Sequence, residues 1–280
     1  MDIKWNTIYT DDNLTVLKEL VDNKVLFDLV LTDPPYNIGK DFGNDTDKMP
    51  LEEFLEGLEK RIELIDGLLS NVGSIVCFCT HRYVGHLQML MYKRWQYRRL
   101  MIWFYKNGMS RQTKEPVTEY DPFLWFSKTE NYTYNMEDIR VPYRSDRVKN
   151  PVYKKDTHGN KRAWHPNPDG AKRGDVWEYP TLSGKVFENE RTEHPTQKPE
   201  DLTIDLIKAF CPKGKDGKYE GNILDPYLGS GTTAFCIEKL NRLYGHRIKW
   251  IGIELEEKWV KVANNRIEQE RNKQPQIDLF

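Results

Sequence analysis

Residues 27–36 read Phe-Asp-Leu-Val-Leu-Thr-Asp-Pro-Pro-Tyr, and this stretch decides the fold. The run Phe27–Leu31 is short, apolar and β-branched at Val30, which predicts a buried strand. Pro34 and Pro35 remove two backbone donors and fix φ, so the strand ends there in a stiff turn. In open α/β sheets ligands lie at the carboxyl ends of strands, so we expect this turn to border a binding site.

The turn carries a carboxylate, a carbonyl and an aromatic ring. An exocyclic amine on a base is a poor nucleophile, because its lone pair is delocalised into the ring. The Asp33 carboxylate and the Pro34 carbonyl could accept its two hydrogens while Tyr36 stacks on the base, and such catalysis depends on preorganised dipoles. Because Asp and Pro are common turn formers, a plain strand-to-turn junction is the alternative.

A second junction lies at residues 223–233, which read Ile-Leu-Asp-Pro-Tyr-Leu-Gly-Ser-Gly-Thr-Thr. An apolar strand, a turn with Gly229 and Gly231, and a helix start predict a nucleotide-type pocket, because glycine lets a ligand approach the backbone. The dinucleotide fingerprint and the P-loop lysine are absent, which disfavours a nicotinamide cofactor and ATP. Glu254 ends the next predicted strand, where an acidic residue would hold ribose hydroxyls; a surface carboxylate is the alternative.

Periodicity and turn residues predict the remaining elements. Helices are expected after residue 13, after Pro50, over 83–95, after Pro199, over 234–240 and around Trp259. Strands are expected at 6–9, 74–79, 100–105 and 122–126. Asp12 precedes the first helix, either as its N-cap or as a contact to a cofactor's adenine. The polar stretch 37–48 predicts a mobile loop beside the site.

Composition bounds the class of protein. The 280 residues are 38% hydrophobic, which suits one large α/β domain with an insertion and excludes a disordered chain. No apolar run is long enough to span a membrane, and the first residues lack signal-peptide architecture. The spacing of the four cysteines fits neither a zinc site nor a disulfide framework, so buried thiols and a cytoplasmic location are expected.

The charge is unevenly distributed although the net charge is only −1. One basic run extends from Arg140 to Arg173, and another from Lys93 to Lys114. They suggest a face suited to a phosphate backbone; an ordinary solvated surface is the alternative. From Tyr132 to Glu193 regular patterns fade, and aromatic residues such as Trp177 are interspersed with basic ones, which suits base stacking. A partly disordered insertion is the alternative.

Four motifs, together with their order along the chain, resemble those of the beta group of DNA amino-methyltransferases that use S-adenosylmethionine. Asp33-Pro34-Pro35-Tyr36 is similar to the catalytic tetrapeptide of that family. The segment 225–232 resembles its cofactor loop, with Tyr227 where Phe is usual. The segments 194–199, His-Pro-Thr-Gln-Lys-Pro, and 174–177, Gly-Asp-Val-Trp, resemble two further motifs.

The resemblance implies a permuted Rossmann-like methyltransferase sheet with helices on both faces. It implies one catalytic domain over residues 1–280, with a target-recognition insertion at 136–175. Catalysis would rest on Asp33, Pro34, Pro35 and Tyr36. S-adenosylmethionine would be bound by Asp12, Asp33, Thr196, Lys198, Asp225, Tyr227, Gly229, Ser230, Gly231, Thr232 and Glu254. We expect DNA contacts from Lys40, Arg111, Arg140, Arg144, Arg147, Lys154, Lys155 and Arg162.

The main hypothesis is therefore site-specific methylation of adenine N6 in double-stranded DNA by base flipping. Cytosine N4 methylation uses the same logic; the Asp that begins the catalytic motif favours adenine, by resemblance only. A catalytically silent DNA-binding subunit is the third alternative. The sequence leaves open the recognition site, a homodimer and a cognate restriction endonuclease.

Overall fold

The computed structural model describes residues 2–41, 47–108, 113–144 and 152–274. The strands are β1 Thr7–Thr10, β2 Phe27–Thr32, β3 Leu69–Phe78, β4 Gln96–Phe104, β5 Tyr120–Ser127, β6 Val152–Lys155, β7 Lys161–Trp164, β8 Val176–Glu178, β9 Asn222–Asp225 and β10 Lys249–Glu254. The helices are α1 Asn13–Asp22, α2 Leu51–Leu68, α3 Val84–Tyr92, α4 Glu200–Phe210, α5 Thr232–Tyr244 and α6 Glu257–Arg271.

Eight strands form one sheet in the order β1-β10-β9-β2-β3-β5-β4-β8. The strands from β1 to β3 in this order run parallel to one another, and β5 runs antiparallel to both of its neighbours. Strands β9 and β10 come late in the chain yet insert between β1 and β2. This permuted α/β sheet confirms the predicted fold class.

Alternate residues of the central strands pack against helices on opposite faces. In β2, Leu29 and Leu31 belong to the core beneath α4, α5 and α6, whereas Val30 belongs to the core beneath α1, α2 and α3. A strand covered on both faces has apolar residues at consecutive positions, which is why residues 27–31 show no alternation. The same double burial places both ends of β2 inside the domain.

The segment between residues 132 and 193 is more regular than predicted. Strand β8 pairs with β4 at the edge of the main sheet, through Trp103 and Trp177. Trp177 is fully buried, with its ring 6.0 Å from that of Phe123. The prediction that Trp177 belongs with base-stacking aromatics is therefore wrong, because its side chain fills the core.

A backbone bridge closes a stretch that lies inside the predicted insertion at residues 136–175. Val141 and Ala171 exchange backbone hydrogen bonds of 3.0 and 2.7 Å, and beyond them β6 and β7 form a separate hairpin. Arg140 sits at this junction, only 9% exposed, where its guanidinium contacts Glu137 at 2.7 Å and the Gly170 carbonyl at 2.7 Å. These contacts hold the guanidinium at the base of this stretch, and a DNA contact from Arg140 stays a prediction.

At the start of the second basic run, Lys93, Arg94 and Arg98 are paired with acids instead of forming an open cationic surface. Lys93 pairs with Glu59 at 2.6 Å and Arg94 with Glu63 at 3.0 Å, across α3 and α2. The guanidinium of Arg98 contacts the Glu130 carboxylate at 2.8 Å. These acids lie far away in sequence, so the local excess of positive charge is compensated in three dimensions.

All four cysteines are buried free thiols, as the spacing predicted. Within the described ranges, no helix combines the length and the apolar character needed to cross a membrane.

Candidate active site

The site lies where two neighbouring strands send the chain to opposite faces of the sheet. Strands β9 and β2 are parallel, with Val30 opposite Leu224. The chain leaves β9 for α5 on one face, and leaves β2 for α2 on the other. Such a switch of direction opens a crevice at the carboxyl ends of the strands. Both predicted motif turns border this crevice.

A cavity of about 300 Å³ occupies the crevice. Its walls include Asp33 and Pro35 from the first turn and residues 225–230 from the second, although almost 200 residues separate these segments. Further predicted site residues that line it are Asp12, Thr196, Lys198, Thr232 and Glu254. The structure thus brings most of the predicted set together.

Asp33 is the centre of a polar cluster at one end of the cavity. The Tyr36 hydroxyl donates to Asp33 Oδ1 at 2.6 Å, and Lys198 forms an ion pair with Asp33 Oδ2. Burial and the Asp33 carboxylate raise the pKa of Tyr36 well above its ordinary value, so the phenol keeps its proton as a donor. Pro34 is buried, and no donor among the described residues bonds to its carbonyl.

The stretch after the motif is held by hydrogen bonds rather than loose along its length. Asp47 is 2% exposed and accepts from the backbone N–H groups of Asn37, Ile38 and Lys40 at 2.6, 3.2 and 2.7 Å. The predicted mobile loop is therefore anchored at residues 37–40 and 47. Residues 42–46 lie outside the described residues.

Asp225 holds the second turn together. Its carboxylate accepts from the Thr233 hydroxyl at 2.6 Å and from the Tyr227 N–H at 3.1 Å. Burial raises the pKa of Asp225 to about 7, and these two hydrogen bonds oppose that rise. Glu254 braces the same turn, accepting from the Gly229 N–H at 2.8 Å. Burial also raises the pKa of Glu254.

The two glycines of the turn face protein atoms. An ideal Cβ on Gly229 would lie 2.8 Å from His194 Nε2, and one on Gly231 would lie 2.6 Å from the Ala263 Cβ. Gly231 is absent from the cavity wall. The explanation that glycine makes room for a ligand is therefore wrong for Gly231, because its missing side chain makes room for α6.

Ser230 and Thr232 are tied to α6 through Arg266. The guanidinium donates to the Ser230 carbonyl at 2.9 Å and to the Thr232 hydroxyl at 3.1 Å. Both residues also line the cavity. They fix the start of α5, whose first N–H groups have no acceptor within the helix.

The far end of the cavity is framed by α1 and α2. Asp12 caps α1 through the Leu14 N–H at 2.7 Å, as the N-cap alternative predicted, and it lies 3.6 Å from Arg61. Arg61 also donates to Asn13 Oδ1 at 2.6 Å. Capping does not exclude a ligand contact, since Asp12 lines the cavity as well.

The charge of the cavity fits a cationic ligand. Its acidic lining residues are Asp11, Asp12, Asp33, Asp225, Glu254 and Glu256, against Arg61 and Lys198 as the basic ones. A negative cavity repels polyphosphates and attracts a sulfonium. The Thr32 hydroxyl is buried on the same wall and has no hydrogen-bond partner among the described residues. A bound ligand with polar groups would satisfy it.

Sequence reasoning missed several residues of the site. His194 packs edge-on against Trp259, with 4.7 Å between ring centres, and both line the cavity. Burial lowers the pKa of His194 to about 4, so this imidazole is neutral near pH 7. Arg61 and Phe78 also line the cavity. Only His194 had a local signal, since it begins the motif at residues 194–199.

The predicted DNA contacts are dispersed. Lys40, Arg144, Lys154 and Lys155 are exposed, the last two on the β6–β7 hairpin. Arg111 and Arg147 lie outside the described residues, as does the side chain of Arg162.

Asp121, which was not predicted, is a largely buried carboxylate in the field of Lys198 and Asp33, and burial raises its pKa.

The family model for DNA methylases matches residues 27–265. The type II methyltransferase M.BglII of Bacillus subtilis is 33% identical over 269 residues, covering 92% of this chain and 68% of that protein. M.HpaI of Haemophilus parainfluenzae is 30% identical over 268 residues, covering 95% and 75%. The DNA adenine methyltransferase YhdJ of Escherichia coli (strain K12) is 27% identical over 266 residues, covering 94% and 82%.

Solved structures share the fold. An M1.HpyAVI–SAM complex superposes with a TM-score of 0.61 at 22% identity, covering 93% of this chain and 98% of that one. The cytosine-N4-specific PvuII DNA methyltransferase superposes with a TM-score of 0.64 at 15% identity, covering 95% and 91%. These likenesses support the α/β fold described above.

Proposed function

This chain belongs to the DNA methylase family, and from that membership we propose that it transfers the methyl group of S-adenosylmethionine to adenine N6 in double-stranded DNA, at a specific sequence. One observation carries the proposal. Asp33 and Pro35 of the first turn and residues 225–230 of the second line one cavity of about 300 Å³. A methyl donor held by the second turn would therefore lie beside the acceptors of the first.

The cavity suits this cofactor. When bound, S-adenosylmethionine supplies a methyl group activated by a sulfonium charge, which the acidic wall favours. Glu254 would hold the ribose, Asp12 would lie at the adenine, and the turn with Tyr227 and Gly229 would line the pocket between them. Thr196 and Lys198 would hold the methionine end.

The first turn would activate the base. A flipped adenine would donate its amine hydrogens to the Asp33 carboxylate and the Pro34 carbonyl, which turns the nitrogen lone pair out of conjugation. Tyr36 would stack on the ring, and Pro35 keeps the turn stiff. Asp33 would also accept the proton that the nitrogen releases after it gains the methyl group.

Adenine is favoured over cytosine by the Asp that begins the motif and by the relative named as a DNA adenine methyltransferase. We further propose that residues 136–175 read the target sequence. Exposed lysines such as Lys154 and Lys155, on a hairpin separate from the main sheet, support a role in contacting DNA. Single-domain organisation over residues 1–280 remains our proposal.

We also propose two protein partners for this chain. Two of the relatives are named type II methyltransferases, which supports a cognate restriction endonuclease as a partner of this chain. A homodimer is the oligomeric state we propose, and light scattering on the purified chain measures it. DNA as the substrate, together with four buried free thiols, supports a cytoplasmic location.

The experiment is methylome sequencing of a host that expresses the chain and lacks other adenine methylation. We expect N6-methyladenine at one short sequence, with digestion and mass spectrometry of the DNA separating it from N4-methylcytosine. The variant Asp33→Ala should remove methylation while calorimetry still detects binding of S-adenosylhomocysteine. A chain that binds duplex DNA but methylates none would instead be a silent DNA-binding subunit.

A further inference from the structure

Lys198 lies where the base amine and the methyl donor would meet. Its ammonium pairs with Asp33 Oδ2 and lies 3.5 Å from the Tyr36 hydroxyl. The side chains of Lys198 and Asp33 are only 11% and 22% exposed. A shielded pair is little screened by salt, so the ammonium competes effectively with any other group that needs this carboxylate.

Three aromatic rings complete the surroundings of the ammonium. The ring centres of Phe78, Tyr36 and Trp103 lie 4.9, 5.6 and 5.8 Å from Lys198 Nζ. Aromatic faces within about 6 Å attract a cation. The rings come from the carboxyl ends of β3 and β4 and from the turn after β2, so the sheet itself builds a cation pocket beside Asp33.

This pairing conflicts with methyl transfer. Asp33 Oδ1 accepts from Tyr36, and Oδ2 is covered by Lys198. The base amine must donate to the same carboxylate, and a sulfonium would bring a second positive charge into the pocket. Two like charges a few ångströms apart repel strongly in a site shielded from water. An ammonium that stays on Asp33 therefore competes with the base amine for this carboxylate.

The cofactor's own carboxylate is suited to receive the ammonium. Among the described residues, the cationic side chains of the cavity wall are Arg61 and Lys198, and Arg61 is held by Asn13 Oδ1 at 2.6 Å and the Gly57 carbonyl at 3.0 Å. Lys198 belongs to the segment that we place at the methionine end. Its flexible four-carbon stem allows the ammonium to turn while the backbone stays in place.

We propose that Lys198 is a latch operated by the α-carboxylate of the cofactor. It covers Asp33 until that carboxylate draws the ammonium away, and only then does the flipped base reach Asp33. This inference rests on the proposed function. It makes cofactor binding and base binding strengthen each other through residue 198, a coupling that must be reciprocal.

The test uses two analogues that share an uncharged adenosyl thioether. S-adenosylhomocysteine carries the α-carboxylate, whereas 5′-methylthioadenosine lacks the amino-acid end. The duplex contains the sequence found by methylome sequencing, with 2-aminopurine next to the target adenine, so that its fluorescence rises when the adenine leaves the stack and the target keeps its N6 amine. In the wild type we expect S-adenosylhomocysteine at saturation to favour the flipped state about tenfold or more, and 5′-methylthioadenosine less than about twofold.

The variant Lys198→Met keeps the stem and removes the charge. It should flip the base without any analogue, and each analogue should change the flipped fraction less than about twofold. Lys261→Met is the matched control, since Lys261 is 77% exposed on α6, and it should respond like the wild type.

Three outcomes would overturn the latch. The two analogues could act equally on the wild type, or Lys198→Met could keep the full response to S-adenosylhomocysteine. A Lys198→Met variant with native circular dichroism that never flips the base would mean that Lys198 positions Asp33 instead of covering it. Failure of the proposed function is distinguishable, because the wild type would then leave no methylated sequence in the host.

Discussion

Gly231 lies against Ala263 so closely that an ideal Cβ on residue 231 would come within 2.6 Å of the Ala263 Cβ. Gly231 precedes the first residue of α5 in a left-handed conformation, with φ of 79°, and Ala263 is on the buried face of α6. The contact sets how closely the two helices approach. It makes the glycine of the cofactor turn a packing residue.

Gly231→Ala should therefore lower the free energy of unfolding by about 2 to 4 kcal/mol, combining left-handed strain with overpacking. Gly217→Ala is the matched control, because Gly217 has φ of 76° with no atom within 4 Å of an added Cβ. The left-handed strain alone should lower the free energy of unfolding of Gly217→Ala, by about 1 to 2 kcal/mol. Urea unfolding measures both, and equal losses would show that the contact with α6 does not matter.

Tyr36→Phe removes the hydroxyl that donates to Asp33 Oδ1 at 2.6 Å and keeps the ring. We expect the single-turnover rate of methyl transfer to fall about 10- to 100-fold, the usual value of a hydrogen bond to a charged group. The single-turnover rate of Tyr36→Ala should fall further, because this variant also loses the stacking ring. A Phe variant as fast as the wild type would assign the hydroxyl no part in catalysis.

Asp225 predicts a pH dependence of stability. Burial raises its pKa to about 7 in the folded protein, whereas the unfolded chain releases the proton near pH 4. Between these values the folded state holds more protons, so this residue lowers stability as the pH rises from about 4 to about 7. Asp225→Asn cannot titrate.

The stability of Asp225→Asn relative to the wild type should therefore improve from pH 5 to pH 8. The altered hydrogen bonds to Thr233 and Tyr227 shift the variant equally at both pH values and cancel in this comparison. Urea unfolding at the two pH values provides the numbers. A difference that stays constant would mean that Asp225 is already ionised in the folded protein at pH 5.

Lys155 and Arg140 should behave differently although both belong to the basic run. Lys155→Gln, on the exposed hairpin, should weaken binding to duplex DNA and reduce the slope of log K against log salt by about 1. Arg140→Gln should lower the unfolding midpoint, because Glu137 and the Gly170 carbonyl lose their partner. Fluorescence anisotropy across a salt series measures DNA binding by both variants, and thermal unfolding measures their midpoints. A salt slope changed only by Arg140→Gln would reverse these assignments.

Much of the fold could be predicted from the sequence. Apolar runs stopped by prolines or glycines predicted β2 and β9 with their turns, because strand burial and turn geometry depend on residues next to one another in the chain. The resemblance of four short motifs to those of the DNA amino-methyltransferases implied the permuted sheet. The same local signals marked Asp33, Tyr36 and Glu254 as members of one site.

The tertiary structure decided which groups face one another across long sequence separations. The pairing of Lys198 with Asp33, the contact of Gly231 with Ala263 and the closure of the insertion by Arg140 leave no periodic or compositional trace. Charge counts along the chain likewise missed the acids that neutralise Lys93. The physical reason is that a side chain's ionisation, packing and hydrogen bonds depend on its neighbours in space. Those neighbours are brought together only when the chain folds.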